Sequence, residues 1–295
     1  MGDKSKNQQM NILVSADKKY LDYLMTMLFS LRKHNEEFTV YFLNKSISEK
    51  TIQKFIHQVK KEIGCNCIEI KIDEALCEQF PIYFKRISLE TYLRLFAPFY
   101  LPQDMERILY LDVDIIVKKN LKDFYYQDFE GKSLVAIPES LHKSSIIKEH
   151  KEKVGLSAEH KYFNAGVLIM NLDKIRQTTS SDMILDLINR KRDCIEYQDQ
   201  DVLNLLFEKD VKYESKYYNY QLIWRASVSE EDFEKIQILH YSGDEKPWKI
   251  KCIKEYSNAY WDIVKERGRV IRPALKLSMS KGYQAIRKCY YKIKG

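Results

Sequence analysis

Apolar residues in this chain fall into short runs separated by amphipathic stretches. The first run, ILVSAD over residues 12–17, ends in polar residues, and Leu24, Leu28 and Leu31 then recur at helical spacing within residues 21–34. TVYFLN (39–44) predicts a second strand, residues 49–63 a second helix with Ser48 as its N-cap, and CIEIKI (67–72) a third strand. Such alternation predicts an α/β fold: a mixed, mostly parallel, Rossmann-like sheet with helices on both faces. Ligands of such folds bind outside the carboxyl ends of the strands.

Residues 88–99 read as a helix stopped near Pro98 and Pro102. Residues 107–117 (RILYLDVDIIV) form the most strand-like run, yet two carboxylates interrupt its centre. A strand buried on both faces should be continuously apolar, so Asp112 and Asp114 call for water, a metal or a ligand. Further strand-like runs cover 133–139, 163–172 and 235–243, with helices over 182–190 and from Asp199 onward. With no internal repeat or low-complexity linker, the expected organisation is one domain, residues 10–262, followed by an extension, residues 263–295.

Composition narrows the class. Of the 295 residues, 45% are hydrophobic and 31% charged, which excludes extended disorder. No run reaches the roughly 18 apolar residues of a membrane span, and MGDKSKNQQM lacks the apolar core of a secretory signal, so a cytoplasmic location is expected. Lys6 stands where a myristoylation start requires Ser or Thr. The six cysteines show no repeated spacing and are expected to be reduced; Cys65 and Cys67 have no second pair with which to build a zinc site.

The net charge of +7 is concentrated at one end: residues 265–295 carry ten Lys or Arg against one Glu. There the basic residues interleave with Ile271, Leu275, Leu277, Met279, Tyr283, Ile286, Tyr290, Tyr291 and Ile293. A basic amphipathic segment of this kind suits an anionic membrane surface, which would make the protein peripheral on the inner face of the membrane. A solvated helix packed on the domain is the alternative. No nucleic-acid recognition module accompanies the charge.

Asp112 and Asp114, one residue apart on an extended strand, would project to the same face and share one cation. A divalent ion favours ionisation of both, whereas unpaired they would repel. His240 ends another apolar run, and two carboxylates with one imidazole suit Mn²⁺ better than Zn²⁺ or Ca²⁺. Gly243 lets backbone approach a phosphate and Lys246 offers it a point charge; read singly, they are a turn glycine and a surface lysine. Asp17 ends the first strand, where doubly wound folds meet a nucleotide. Asn164, Asp199 and Gln200 are polar residues among apolar neighbours, and each alone also reads as a cap or a buried hydrogen-bonding residue.

Six blocks occur in a telling order: VSAD (14–17), TYLRL (91–95), LYLDVDIIV (109–117), YFNAGVLIMNL (162–172), YQDQDVLN (197–204) and HYSGDEKPW (240–248). Together they resemble retaining glycosyltransferase family 8, including its bacterial lipooligosaccharide α-galactosyltransferases, over residues 10–260. The resemblance implies a glycosyltransferase-A fold and a UDP-hexose donor, galactose before glucose, with a glycan or lipid-linked acceptor. It implies Mn²⁺, with Mg²⁺ as the alternative, on Asp112, Asp114 and His240, and phosphate contacts from Gly243 and Lys246. Ser15, Ala16 and Asp17 would hold the uridine end, while Arg94, Asn164, Ala165, Asp199 and Gln200 would line the donor-sugar pocket, with Gln200 beside the anomeric carbon. One departure is Lys19, where the family often carries a polar donor contact.

The expected mechanism is front-face attack, with a UDP oxygen accepting the acceptor's proton; Asp199 as nucleophile or electrostatic stabiliser is the alternative. Two other classes compete: a non-catalytic nucleotide-sugar or carbohydrate binder of the same fold, and a nucleic-acid binder using the basic tail. Product formation separates the enzyme from the first, and metal-dependent UDP binding separates both from the second.

Overall fold

The computed structural model describes residues 9–73, 76, 89–140, 144–222, 228–244, 246–249, 257–268, 281, 282 and 285. The chain opens β1 (Met10–Ser15), α1 (Leu21–His34), β2 (Phe38–Asn44), α2 (Glu49–Glu62), β3 (Asn66–Lys71) and α3 (Leu93–Tyr100). It continues with β4 (Arg107–Leu111), β5 (Ile115–Val117), α4 (Lys122–Tyr126), β6 (Leu134–Pro138), α5 (Ser144–Val154) and β7 (Phe163–Asn171). Then follow α6 (Leu172–Thr178), α7 (Ser181–Lys191), α8 (Asp199–Leu206), β8 (Val211–Tyr213), β9 (Tyr220–Gln221), α9 (Glu230–Lys235), β10 (Ile238–His240) and α10 (Ser257–Glu266).

Seven strands form one sheet in the order β3-β2-β1-β4-β7-β6-β8. All run parallel except β7, which is antiparallel to β4 and β6. The expected mixed, mostly parallel α/β sheet is therefore present. Strand alternation explains the continuous apolar runs: Ile12 and Val14 pack with α1 and α2 on one face, while Leu13 packs with α3 on the other. Leu24, Leu28 and Leu31 are the buried stripe of α1, and Ile52, Phe55 and Val59 that of α2. Ser48 holds the N-cap position of α2, but its hydroxyl meets that of Thr51 at 3.0 Å and caps no backbone N–H.

Two readings of the sequence need correction. Residues 88–99 do not form one helix: a 3-10 turn covers Leu89–Thr91, α3 begins at Leu93, and it runs through Pro98 to Tyr100. Residues 107–117 are not one strand. The chain leaves the large sheet after Leu111, turns through residues 112–114, and enters a second sheet, β5-β10-β9, at Ile115. Apolar continuity hid this break because both sheets bury their strands. Asp112 and Asp114 thus occupy a turn between sheets rather than an extended strand.

That second sheet brings His240 to the site. It lies opposite Ile115 in the antiparallel β5/β10 ladder, and Tyr241 N–H donates to Asp114 C=O at 2.9 Å. Trp248, Tyr260 and Trp261 pack over the small sheet. Trp248 stacks on Tyr23 at 4.0 Å between ring centroids, and Trp261 Nε1 donates to Pro247 C=O. The proposed domain limit at residue 262 falls within α10, after which Arg267 is held by Asp22, Thr26 and Glu62. The tail positions 271, 275, 277, 279, 283, 286, 290, 291 and 293 lie outside the described residues.

Ser30 on α1 fixes β5 from beneath, accepting from Val117 N–H at 3.0 Å and donating to Met27 C=O at 2.6 Å. Ser30→Ala strands a buried N–H and is expected to lower stability by about 1–3 kcal/mol, read from urea unfolding.

Candidate functional site

The carboxyl end of β1 and the turn after β4 open onto a cleft of about 570 Å³. Ser15, Ala16 and Asp17 line it, as do Gly243 and Lys246, with Arg94, Asp112 and Asp114 between. Ser15 donates its hydroxyl to Glu90 C=O at 2.9 Å. Asp17 caps a short 3-10 turn by accepting from the backbone of Lys19 and Tyr20. Gly243 adopts φ +79°, a conformation that favours glycine. Lys246 donates to Tyr241 C=O at 3.1 Å and forms an ion pair with Asp114.

Asp112, Asp114 and His240 each offer a ligand atom within 4.8 Å of the others, the group among the described residues suited to a metal ion. Cys65 and Cys67 belong to no such group there. His240 Nε2 lies 3.3 Å from Asp114 Oδ1 and 3.8 Å from Asp112 Oδ2. The other oxygen of Asp112 accepts from Tyr110 OH at 2.8 Å and faces Arg94 at 3.2 Å, which leaves Oδ2 free to point at the cluster. Two carboxylates and an imidazole converging in this way fit a divalent cation. Gly166 makes room for them: a Cβ there would overlap His240 Cε1 and come within 2.7 Å of Asp112 Oδ2.

Asn164, Ala165, Asp199 and Gln200 stand in the layer behind Arg94. Its guanidinium, 3% exposed, pairs with Asp199 at 3.0 Å, donates to Ala165 C=O at 2.6 Å and stacks over Tyr110 at 4.1 Å. Gln200 Oε1 accepts from Ala165 N–H and from Asn164 Nδ2, at 3.0 and 3.1 Å. The residues expected at the metal, phosphate, uridine and donor-sugar positions therefore lie in one continuous assembly. Gln198, at φ +50°, turns the chain into α8 through a strained conformation costing about 1–3 kcal/mol. Buried Asp201 holds that turn, accepting from the N–H groups of Glu196 and Tyr197 at 2.8 Å, from Tyr162 OH at 2.5 Å and facing His150 Nε2 at 2.6 Å.

Charge burial sets the electrostatics. Burial alone would drive the Asp114 carboxyl upward, but Lys246 and His240 outweigh it and hold the group well below the usual range. Burial opposes the charge on Arg94, yet Asp112 and Asp199 keep it firmly protonated. Asp199 must share that guanidinium with Asp112; burial prevails, and its carboxyl is pushed up to about 6.

Sequence reasoning passed over Gly166, Tyr110, Asn219, Glu139 and Asp201. Gly166 and Asp201 lie inside the recognised blocks FNAG and YQDQD, so the signal was present there. Asn219, within KYYNYQ, shows no periodic or motif signal.

An α/β sheet with an acidic turn of this kind after its central strand is the glycosyltransferase-A architecture. The galactosyltransferase LgtC, solved with donor and acceptor sugar analogues, superposes with a TM-score of 0.74 at 26% identity, covering 87% of this chain and 96% of its own. The sequence profile of Glycosyl transferase family 8 matches residues 11–252, and the chain belongs to that family. A Haemophilus influenzae relative, named only for glycosyl transfer, is 28% identical over 83% of this chain and 75% of its own. The lipopolysaccharide 1,2-glucosyltransferase of Escherichia coli is 22% identical over 81% of this chain and 72% of its own. The chain spans only 61% of the Streptococcus pneumoniae glycosyltransferase GlyE, to which it is 26% identical over 87% of its length.

Gly166→Ala is expected to weaken divalent-cation binding by about tenfold or more while the fold persists, measured by titration calorimetry beside thermal melting. Asp199 yields a pH prediction. Its folded value is raised, so its contribution to stability is fully present below about pH 4 and lost as pH rises through about 6. In metal-stripped protein, wild type should therefore lose stability relative to Asp199→Asn between pH 4 and pH 7, by up to about 3 kcal/mol in urea unfolding.

Proposed function

We propose that the chain transfers a hexose, galactose first and glucose next, from its UDP-sugar to a glycan or lipid-linked acceptor, with retention at the anomeric carbon. The cation is Mn²⁺, with Mg²⁺ as the alternative. The observation that carries this reading is the convergence of Asp112, Asp114 and His240 in a cleft bounded by the end of β1 and the Gly243–Lys246 loop. The sugars named for LgtC and for the Escherichia coli relative support a hexose.

Asp112, Asp114 and His240 would hold the cation, which supplies Lewis-acid neutralisation of the diphosphate leaving group when bound. The chain's own groups perform the remaining work. Ser15, Ala16 and Asp17 take the uridine end. Gly243 admits the phosphates close to backbone, and Lys246 offers them its ammonium. Arg94, Asn164, Ala165 and Gln200 frame the donor sugar, with Gln200 as the proposed catalytic residue beside the anomeric carbon. Asp199, paired with Arg94, borders the same pocket, and its role as nucleophile or electrostatic stabiliser is the alternative to front-face attack. As the sugar–phosphate bond breaks, its electron pair passes to the UDP oxygen and the sugar becomes oxocarbenium-like. The acceptor hydroxyl attacks on the same face and gives its proton to that oxygen.

The catalytic domain, expected over residues 10–262, is taken to include the rest of α10 and Arg267, with the remainder of the 263–295 extension seated on an anionic membrane surface at its cytoplasmic side. Each Lys or Arg near that surface contributes about 1 kcal/mol. Among the described residues no helix is long and apolar enough to cross a membrane.

The test is UDP release from a panel of UDP-sugars, in Mn²⁺ and in EDTA, for wild type and Asp112→Asn. One UDP-hexose should be turned over in Mn²⁺ only, and about 100-fold or more slowly by the variant. Equal release with and without Mn²⁺, or by wild type and variant alike, overturns the assignment.

A further inference from the structure

Two backbone amides of β7 determine which nitrogen of His240 carries its proton. Gly166 N–H donates to Asn164 Oδ1 at 2.9 Å. A backbone N–H has no alternative polarity, so Asn164 presents its oxygen on that side and its Nδ2 to Glu139 Oε2 and Gln200 Oε1, both at 3.1 Å. Ala165 N–H fixes Gln200 Oε1 in the same way at 3.0 Å. The oxygen of Asn164 also meets Asn219 at 2.9 Å, which makes the nearer Asn219 atom its Nδ2 donor. The remaining atom, Asn219 Oδ1, lies 2.7 Å from His240 Nδ1. Since two lone pairs cannot share that contact, Nδ1 bears a hydrogen, so in the singly protonated ring Nε2 is the nitrogen that keeps its lone pair. Nε2 is the nitrogen that faces Asp112 and Asp114.

We propose that Asn219 is a positioning residue for the cation site, holding His240 in the Nδ1–H tautomer and tying it to Asn164 and Gln200 of the donor-sugar pocket. This rests on reading Asp112, Asp114 and His240 as metal ligands. Asn219, just before β9, is completely buried and His240 is buried with it, so the contact is shielded from competing water. An imidazole released from it could take the other tautomer, placing an N–H where the cation needs a lone pair. It would also lose the acceptor that fixes the ring's orientation toward the cation. Loss of such a partner behind a metal-bound histidine weakens metal affinity by about 10–100-fold. The same chain of amides makes the link reciprocal: a donor sugar that displaces Asn164 would strain the His240 contact.

The tautomer can be read without metal. Long-range proton–nitrogen correlation spectra of metal-free wild type, recorded at a pH where the ring carries a single proton and with His240 assigned by its disappearance in His240→Ala, should place that proton on Nδ1; a single proton on Nε2 overturns the proposal. Mn²⁺ titration calorimetry then compares wild type, Asn219→Ala, Asn219→Asp and His240→Ala, each with a thermal melt. Asn219→Ala is expected to bind about 10–100-fold more weakly, and Asn219→Asp, which restores an oxygen to Nδ1–H but not the donor that Asn164 Oδ1 accepts, to recover part of that loss. Affinity unchanged in Asn219→Ala but lost in His240→Ala overturns the role of Asn219 alone. No Mn²⁺ binding by wild type overturns the metal reading and this inference with it. Should Asn219→Ala fail to fold, the wild-type tautomer and Asn219→Asp decide the matter.

Discussion

Three carboxylates are gathered at one edge of this protein, and the arrangement of cations around them governs the rest of the site. Asp114 and Asp199 are 6% and 5% exposed, and Asp112 sits between them in the same wall. Left alone, such a group would expel a charge or take up protons. Arg94 prevents this by spanning Asp112 and Asp199, while Lys246 and His240 serve Asp114. The guanidinium suits the task because its planar donors reach two carboxylates and a backbone carbonyl at once, and its face rests on Tyr110. The divided service is unequal, which is why Asp114 stays ionised far more readily than Asp199.

Around this charge cluster the fold supplies rigidity from two directions. Behind it, the backbone of β7 and the strained entry to α8 orient Asn164, Gln200 and Asp199 through hydrogen bonds with little freedom to rearrange. In front, the loop carrying Gly243 and Lys246 is anchored through Trp248 on Tyr23 and Pro247 on Trp261. Flexible lysine side chains therefore work from a stiff base. Arg267, its side chain buried among Asp22, Thr26 and Glu62, ties the end of α10 to α1 and α2.

Much of this was legible in the sequence, and the failures are instructive. Strands buried on both faces advertise themselves as unbroken apolar runs, so β1, β2 and β7 were found with their ends within about two residues. The same signal failed across residues 107–117, because hydrophobicity reports burial and not which sheet does the burying. Asp112, Asp114 and His240 were recognisable from residue type and order, but the β5/β10 ladder that joins them is a long-range pairing with no local trace. Gly166 escaped because its contribution is the volume it leaves empty. Asn219 escaped because an isolated amide in an aromatic stretch looks like any turn residue until its partners, distant along the chain, are in place.

The turn between the sheets has one further consequence. Leu111 is registered against Val167 in the large sheet, and Ile115 against His240 in the small one. The three residues between are therefore a bridge whose length is set at both abutments. A single insertion or deletion there would slip one ladder against its partner and turn the side chains of β5 to the opposite face. The Asp-Val-Asp spacing is thus a property of the architecture as much as of the ion. Along a lineage this segment can exchange residues, but it cannot change its count without taking the small sheet apart.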